Sequence, residues 1–145
     1  MSQCPFCNKA TIKNEFFYET KQTLALYNLK PVIKGHCLVI PRRHKERFAD
    51  LSSIERNELL QSVNKVCILL QQVHHARAFS ILIQDGLAAG QTVPHLHVHV
   101  TPMDGTIKTR TLISKAAQSK QRKKISALQM QKEVNLLRKA AKQFL

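Results

Sequence analysis

Between Val93 and Pro102 the chain reads Pro94-His95-Leu96-His97-Val98-His99-Val100-Thr101, a strict alternation of imidazole and aliphatic side chains. A period of two is the signature of a β-strand, whose successive side chains point to opposite faces. All three imidazoles therefore project from one side, roughly 6.5–7 Å apart, and Leu96, Val98 and Val100 from the other. The aliphatic set can bury against a helix while the imidazole face lines a cleft. Burying all three imidazoles in a core would instead demand three sets of hydrogen-bond partners. Residues His95 to Thr101 thus read as a strand ended by Pro102, with its histidine face as the place for chemistry.

The rest of the chain must supply neighbours for that strand. Glu15 to Thr20 and Gln22 to Leu29 are short and rich in aromatic and aliphatic residues, and read as a hairpin turning near Lys21. Lys30-Pro31 breaks the pattern, and His36 to Ile40, closed by Pro41, reads as a third strand. Ser52 and Glu55 have capping-box spacing. Leu59, Leu60, Val63, Val66, Cys67, Leu70 and Val73 then recur at three- and four-residue steps, predicting a long helix that ends around His74-His75. Those two histidines are expected to be exposed in its last turn, where a cation suits the helix dipole. Ala78 to Gln84 reads as a further strand, ended by Asp85-Gly86. Met103 to Lys124 has few large apolar residues and reads as a loop. Ser126 and Gln129 form another capping signal before Met130, Val134, Leu137, Ala141 and Phe144, the stripe of a final amphipathic helix. Strands adjacent in sequence, one long helix inserted and one appended, predict an α+β fold with an antiparallel sheet of about five strands. The glycines lack G-x-G-x-x-G spacing, which argues against a dinucleotide-binding βαβ unit.

A chain of 145 residues with 43% hydrophobic and 22% charged residues is expected to form one globular domain. Its longest apolar run, Val66 to Leu70, is too short to span a bilayer, and the start Met1-Ser2-Gln3-Cys4 does not resemble a secretory signal. A cytoplasmic protein is expected. The formal charge is +14. From Thr106 onward eleven Lys and Arg residues face one acid, Glu133, so most of the excess lies in the last forty residues. Such a tail can meet nucleic acid, but no aromatics are interleaved for base stacking, which favours a solvated arm.

Three chemistries suit the histidine face. Two imidazoles plus a distant third could hold catalytic zinc. A nucleophilic imidazole could attack phosphorus while its neighbours bind phosphate. The face could also join Cys4-Pro5-Phe6-Cys7 in a closed structural zinc site. The pattern alone barely separates them. Cys37 and Cys67 sit inside apolar runs and read as small core residues.

The stretch from Gln84-Asp85-Gly86 through Ala89-Gly90-Gln91-Thr92-Val93 to His95-x-His97-x-His99 resembles the signature of the histidine triad family. Its wording is most similar to the fragile-histidine-triad branch, the dinucleoside polyphosphate hydrolases. Asn28 and Gly35-His36-Cys37-Leu38-Val39-Ile40-Pro41 add to the likeness, which covers about residues 15–102.

The resemblance implies a hydrolase or transferase cleaving diadenosine polyphosphates at the α-phosphate. His97 would be the catalytic nucleophile, forming a nucleotidyl-histidine that water releases as nucleoside monophosphate. It implies that His99 binds the α-phosphate and that Gly90, Gln91, Thr92 and Val93 offer donors to phosphate oxygens. Gln84 would meet the leaving-group bridge and Asn28 the ribose. Metal is not needed for this step, although magnesium can arrive with the substrate's phosphates. In some family members a C-x-x-C near the start, a His after the third strand and the first triad histidine bind structural zinc; here these are Cys4, Cys7, His44 and His95, with free thiols as the alternative. Homodimerisation by joining two sheets is also implied. The expected layout is one unit over 1–145: a zinc-knuckle start (1–14), a core (15–102), and a basic loop and helix (103–145). Two rivals stand beside it, cleavage of nucleoside phosphoramidates or adenylylated metabolites by the same intermediate, and a non-catalytic zinc module binding nucleic acid through the tail.

Overall fold

The computed structural model describes residues 4–106, 111 and 122–145. Most of the predicted loop from Met103 to Lys124, its segments 107–110 and 112–121, lies outside the described residues. The elements in chain order are α1 (Lys9–Ile12), β1 (Phe16–Glu19), β2 (Thr23–Tyr27), β3 (Cys37–Pro41), α2 (Ser53–His74), β4 (Ala78–Ile83), β5 (Val98–Met103) and α3 (Ala127–Phe144). The five strands form one antiparallel sheet in the order β1-β2-β3-β5-β4. This is the predicted α+β fold.

Strand alternation divides the sheet into two faces. Ala25 and Tyr27 of β2, Cys37 and Val39 of β3, and Val98 and Val100 of β5 are buried in one cluster with residues of α2 and α3. Leu24, Leu26, Leu38 and Ile40 point the other way and pack with Ile12, Phe6 and Phe16. Leu38 is register partner to His99, so the amino-terminal segment lies over the sheet face that carries the histidine.

The helix α2 starts where its sequence demands. Ser52 Oγ accepts the Glu55 N–H at 3.2 Å, and Glu55 Oε2 accepts the Ser52 N–H at 2.8 Å. At its other end His75 takes a left-handed conformation, φ 54°, that lets the chain leave the helix. The buried stripe is Leu59, Ser62, Val63, Val66, Leu69 and Leu70. Leu60 is 50% exposed, contrary to expectation, and Leu69 replaces it. Leu60 lies about 100° around the helix from Leu59, outside the contact face. Ser62 is tolerated in the stripe because its hydroxyl meets Thr23 Oγ1 at 2.6 Å.

On α3 the buried residues are Met130, Glu133, Val134, Leu137 and Ala140. Phe144, expected in the stripe, is 45% exposed because the helix runs past the core, and Ala140 packs in addition to Ala141. Each fully buried leucine such as Leu137 contributes about 1.5–3 kcal/mol. Arg138 fixes the helix to the sheet by donating to Phe16 O at 2.8 Å and Lys13 O at 3.3 Å. His74, a solvent-facing helix end by its sequence position, is instead nearly buried, 3.1 Å from the Glu133 carboxylate, in a contact that joins α2 to α3.

Strand β5 also differs from the expected span. The ladder runs on through Pro102, opposite Phe79, to Met103, and it begins only at Val98. His95 to His97 precede the ladder, His95 in a bend, and the Leu96 N–H donates to Lys45 O at 2.6 Å. The alternation nevertheless carries through, since Leu96, Val98 and Val100 are all fully buried in the core under the helices.

Candidate active site

The three imidazoles of the alternating run serve two adjacent arrangements. At one end, His95 is fully buried and its Nδ1 lies 3.5 Å from both Cys4 Sγ and Cys7 Sγ. His44 Nδ1 lies 3.2 Å from Cys7 Sγ. All four donor atoms fall within 4.8 Å of one another. Two thiolates and two imidazole nitrogens at such spacing match a closed tetrahedral site for a thiophilic dication. The far nitrogens are oriented as metal-bound histidines require: His95 Nε2 donates to Pro41 O at 2.9 Å, and His44 Nε2 faces Glu46 Oε1 at 3.4 Å. Each partner leaves the Nδ1 lone pair turned toward the sulfurs.

Next along the strand, His97 Nδ1–H donates to the backbone carbonyl of His95 at 2.7 Å. That fixes the tautomer with an unprotonated Nε2. Phe6, from between the two cysteines, packs edge-on against both His95 and His97, with centroids 5.8 and 5.5 Å away. Burial holds the His97 pKa below the ordinary histidine value, opposed by the His95 carbonyl and reinforced by the charge of Arg122. The ring is therefore neutral at pH 7.

His99 completes the row, its ring 5.0 Å from that of His97. Its Nδ1 is 2.9 Å from Nε2 of His36, which is itself almost wholly buried. His36 Nδ1 accepts the Val32 N–H at 3.1 Å, so in neutral His36 the proton is on Nε2 and is donated to His99. His99 must then carry its own proton on Nε2, a buried atom with no hydrogen-bond partner among the described residues. Burial, then the charges of His97 and Arg122, push the His99 pKa down to about 3. The result is a neutral ring with one fixed, unspent donor.

His97 and His99 share a cavity of about 290 Å³ with Phe6, Glu15, Asn28, Thr92, Val93 and Arg122, among others. Asn28 is held there by accepting the Lys30 N–H on Oδ1 at 2.9 Å. Of the glycine-bearing loop expected to face phosphate, Thr92 and Val93 line this cavity; Gln84, Gly90 and Gln91 do not. Gln91 braces the loop, accepting the Gly86 N–H at 2.8 Å and donating to Glu46 O at 3.0 Å. Gln84 donates to Ala89 O at 3.0 Å across the same turn. Sequence spacing alone does not point to Phe6, Glu15, His36 or Arg122 as site residues. Phe6 sits inside the C-x-x-C motif and His36 beside the third strand, but nothing distinguishes Arg122 from ten other basic residues of the tail.

The HIT domain pattern matches residues 9–106. The chain belongs to the HIT domain family. It is 46% identical over 97 residues to the asymmetrical bis(5'-nucleosyl)-tetraphosphatase of Schizosaccharomyces pombe, a match covering 67% of this chain and 53% of that protein. The chain thus spans about half the length of the curated relatives it matches first. Among solved structures, Plasmodium falciparum diadenosine triphosphate hydrolase superposes with TM-score 0.73 at 31% identity, over 91% of this chain and 79% of that one. A zinc-bound histidine triad family protein from Mycobacterium smegmatis gives TM-score 0.76 at 26% identity, over 98% of this HIT chain and 95% of that one. Among the described residues, no helix is long and apolar enough to cross a membrane.

Proposed function

We propose that this HIT chain, acting as one unit over residues 1–145, hydrolyses dinucleoside polyphosphates at the α-phosphate through a nucleotidyl group carried on His97. The observation that carries the reading is the 2.7 Å bond from His97 Nδ1–H to the His95 carbonyl, which leaves Nε2 as a neutral nucleophile. Relatives named as a bis(5'-nucleosyl)-tetraphosphatase and a diadenosine triphosphate hydrolase support the substrate class.

The Nε2 lone pair attacks the α-phosphorus, a P–N bond forms, and the bridging oxygen leaves with the remaining nucleotide. Positive charge on the imidazolium is shared with the His95 carbonyl. The His99 Nε2–H, with no partner among the described residues, donates to an α-phosphate oxygen. Thr92 and Val93 contact phosphate, and Asn28 contacts the ribose. Gly90, Gln91 and Gln84 hold the loop that presents Thr92 and Val93. Water then attacks phosphorus from the opposite side, the P–N bond breaks, and nucleoside monophosphate leaves with His97 regenerated. Magnesium, when present, arrives bound to the polyphosphate.

The Cys4, Cys7, His44 and His95 set holds a structural zinc ion that ties the amino terminus to the catalytic strand. The zinc-bound relative supports this choice of metal. Cysteines of this chain outside any disulfide, Cys4, Cys7, Cys37 and Cys67, fit a reducing compartment, the cytoplasm. Homodimerisation is supported by β4, an edge strand with Ile81 54% and Leu82 40% exposed, whose open edge suits a second copy.

The test is turnover of diadenosine triphosphate and tetraphosphate by the wild type and by His97→Asn. Loss of at least a thousandfold in kcat supports the reading, and unchanged kcat removes it. Hydrolysis confined to adenosine phosphoramidate would move the substrate to the phosphoramidate class.

A further inference from the structure

We propose that Arg122, from the basic carboxy-terminal segment, is a phosphate-binding residue of the nucleotide cavity. The inference rests on the nucleotide reading of that cavity and adds a ligand from a part of the chain outside the family match, which ends at residue 106.

The placement comes from the backbone. Ile125 N–H donates to Leu29 O at 3.1 Å, laying the segment before α3 alongside the residues that follow Asn28. Arg122 thereby lines the same cavity as Asn28, Thr92, Val93, His97 and His99. Its guanidinium is half-buried, and its Nε and Nη1 are both buried without a hydrogen-bond partner among the described residues. Two unspent charged donors are costly to leave buried without an acceptor. Glu15, whose carboxyl lines the cavity, does not provide it. Burial pushes the Glu15 pKa up to about 7, and the cation that opposes this shift is Lys124, not Arg122. The field of Arg122 falls on His36, His97 and His99, lowering the pKa of each after burial has done so. A cation lining the same cavity as both imidazoles is placed for an anion beside them. A guanidinium makes charge-assisted hydrogen bonds to phosphate oxygens, and it keeps its charge where a lysine would lose it.

Arg122 also resolves an electrostatic deficit. Neutral His97 and His99 carry no net charge to hold a phosphate, and the cations that line the cavity with them are Lys30 and Arg122. Of the two, Arg122 holds buried donors that no described residue accepts.

The experiment measures binding of adenosine monophosphate and of adenosine to the full chain by calorimetry, for the wild type, Arg122→Gln and Arg122→Lys. Arg122→Gln is expected to weaken the monophosphate about 10- to 100-fold and adenosine less than about twofold, with Arg122→Lys between. Monophosphate affinity within about threefold of wild type would overturn the inference. So would equal loss of both ligands, because Arg122 would then only shape the cavity. The parent reading fails separately: a wild type that binds neither ligand and hydrolyses no dinucleotide removes both proposals, whereas an active wild type with an unaffected Arg122→Gln removes this one alone.

Discussion

His36 Nε2 lies 2.9 Å from His99 Nδ1, and because the Val32 N–H occupies His36 Nδ1, the proton between the two rings belongs to His36. A backbone amide outside the row of histidines thus decides which nitrogen of His99 faces the cavity as a donor. Replacing His36 with Phe removes the relay while keeping a buried ring. His99 is then free to adopt the other tautomer, and kcat/KM for a dinucleoside polyphosphate is expected to fall about 5- to 30-fold, the value of one hydrogen bond to charged phosphate. Nitrogen chemical shifts of His99 check the cause; an unchanged tautomer in the variant would break the link.

The pH profile follows from the depressed histidines. Attack needs neutral His97, and burial holds its pKa below the ordinary value, as it does for His99. Activity is therefore present above that lowered pKa and lost as pH falls through it. The acid limb of log kcat/KM should have its midpoint below about 6.5, the usual histidine value. A midpoint above 7 would contradict the burial account.

Glu15 makes the opposite prediction for stability. Its carboxyl pKa is raised to about 7 by burial, so the folded state holds a proton that the unfolded chain releases near 4.5. Its contribution is present at low pH and is lost as pH rises from about 4.5 through about 7. Glu15→Gln, which cannot ionise, should therefore raise Tm more at pH 8 than at pH 5. An equal change at both values would mean that Glu15 does not titrate in this window.

The fold was largely legible because its signals are local. Ser52 with Glu55 marks the start of α2, and the alternation around His97 assigns one face to the core and one to chemistry. What sequence could not show depended on contacts between distant segments. His74 looked like a solvated helix end until Glu133, on another helix, met it. Arg122 is one of many tail cations, chosen only by the Ile125–Leu29 bond. Gln91 looked like a phosphate donor, yet both ends of its amide are spent on Gly86 and Glu46. Leu60 and Phe144 fit helical spacing, but spacing does not say where the contact face ends.

The cysteine cluster predicts a metal that can be counted. Protein purified under reducing conditions should carry about one zinc ion per chain by elemental analysis, released by Cys7→Ser together with a fall in Tm of several degrees. Wild-type protein free of zinc, with Tm unmoved by chelator, would leave the four residues as a thiol–imidazole cluster only.

Gly90 carries the loop geometry. Its φ is +91°, and a Cβ there would sit 2.5 Å from Gln84 Nε2. Gly90→Ala is expected to cost about 1–3 kcal/mol in denaturant unfolding and to break the Gln84 bond to Ala89. A cost below about 0.5 kcal/mol would show that the turn relaxes freely.

The most direct measurement is mass spectrometry of enzyme quenched within milliseconds of mixing with diadenosine triphosphate. The account predicts one acid-labile adenylyl group on the peptide bearing His97, absent in His97→Asn. Rapid turnover with no adduct on that peptide, or an adduct on another residue, would contradict it.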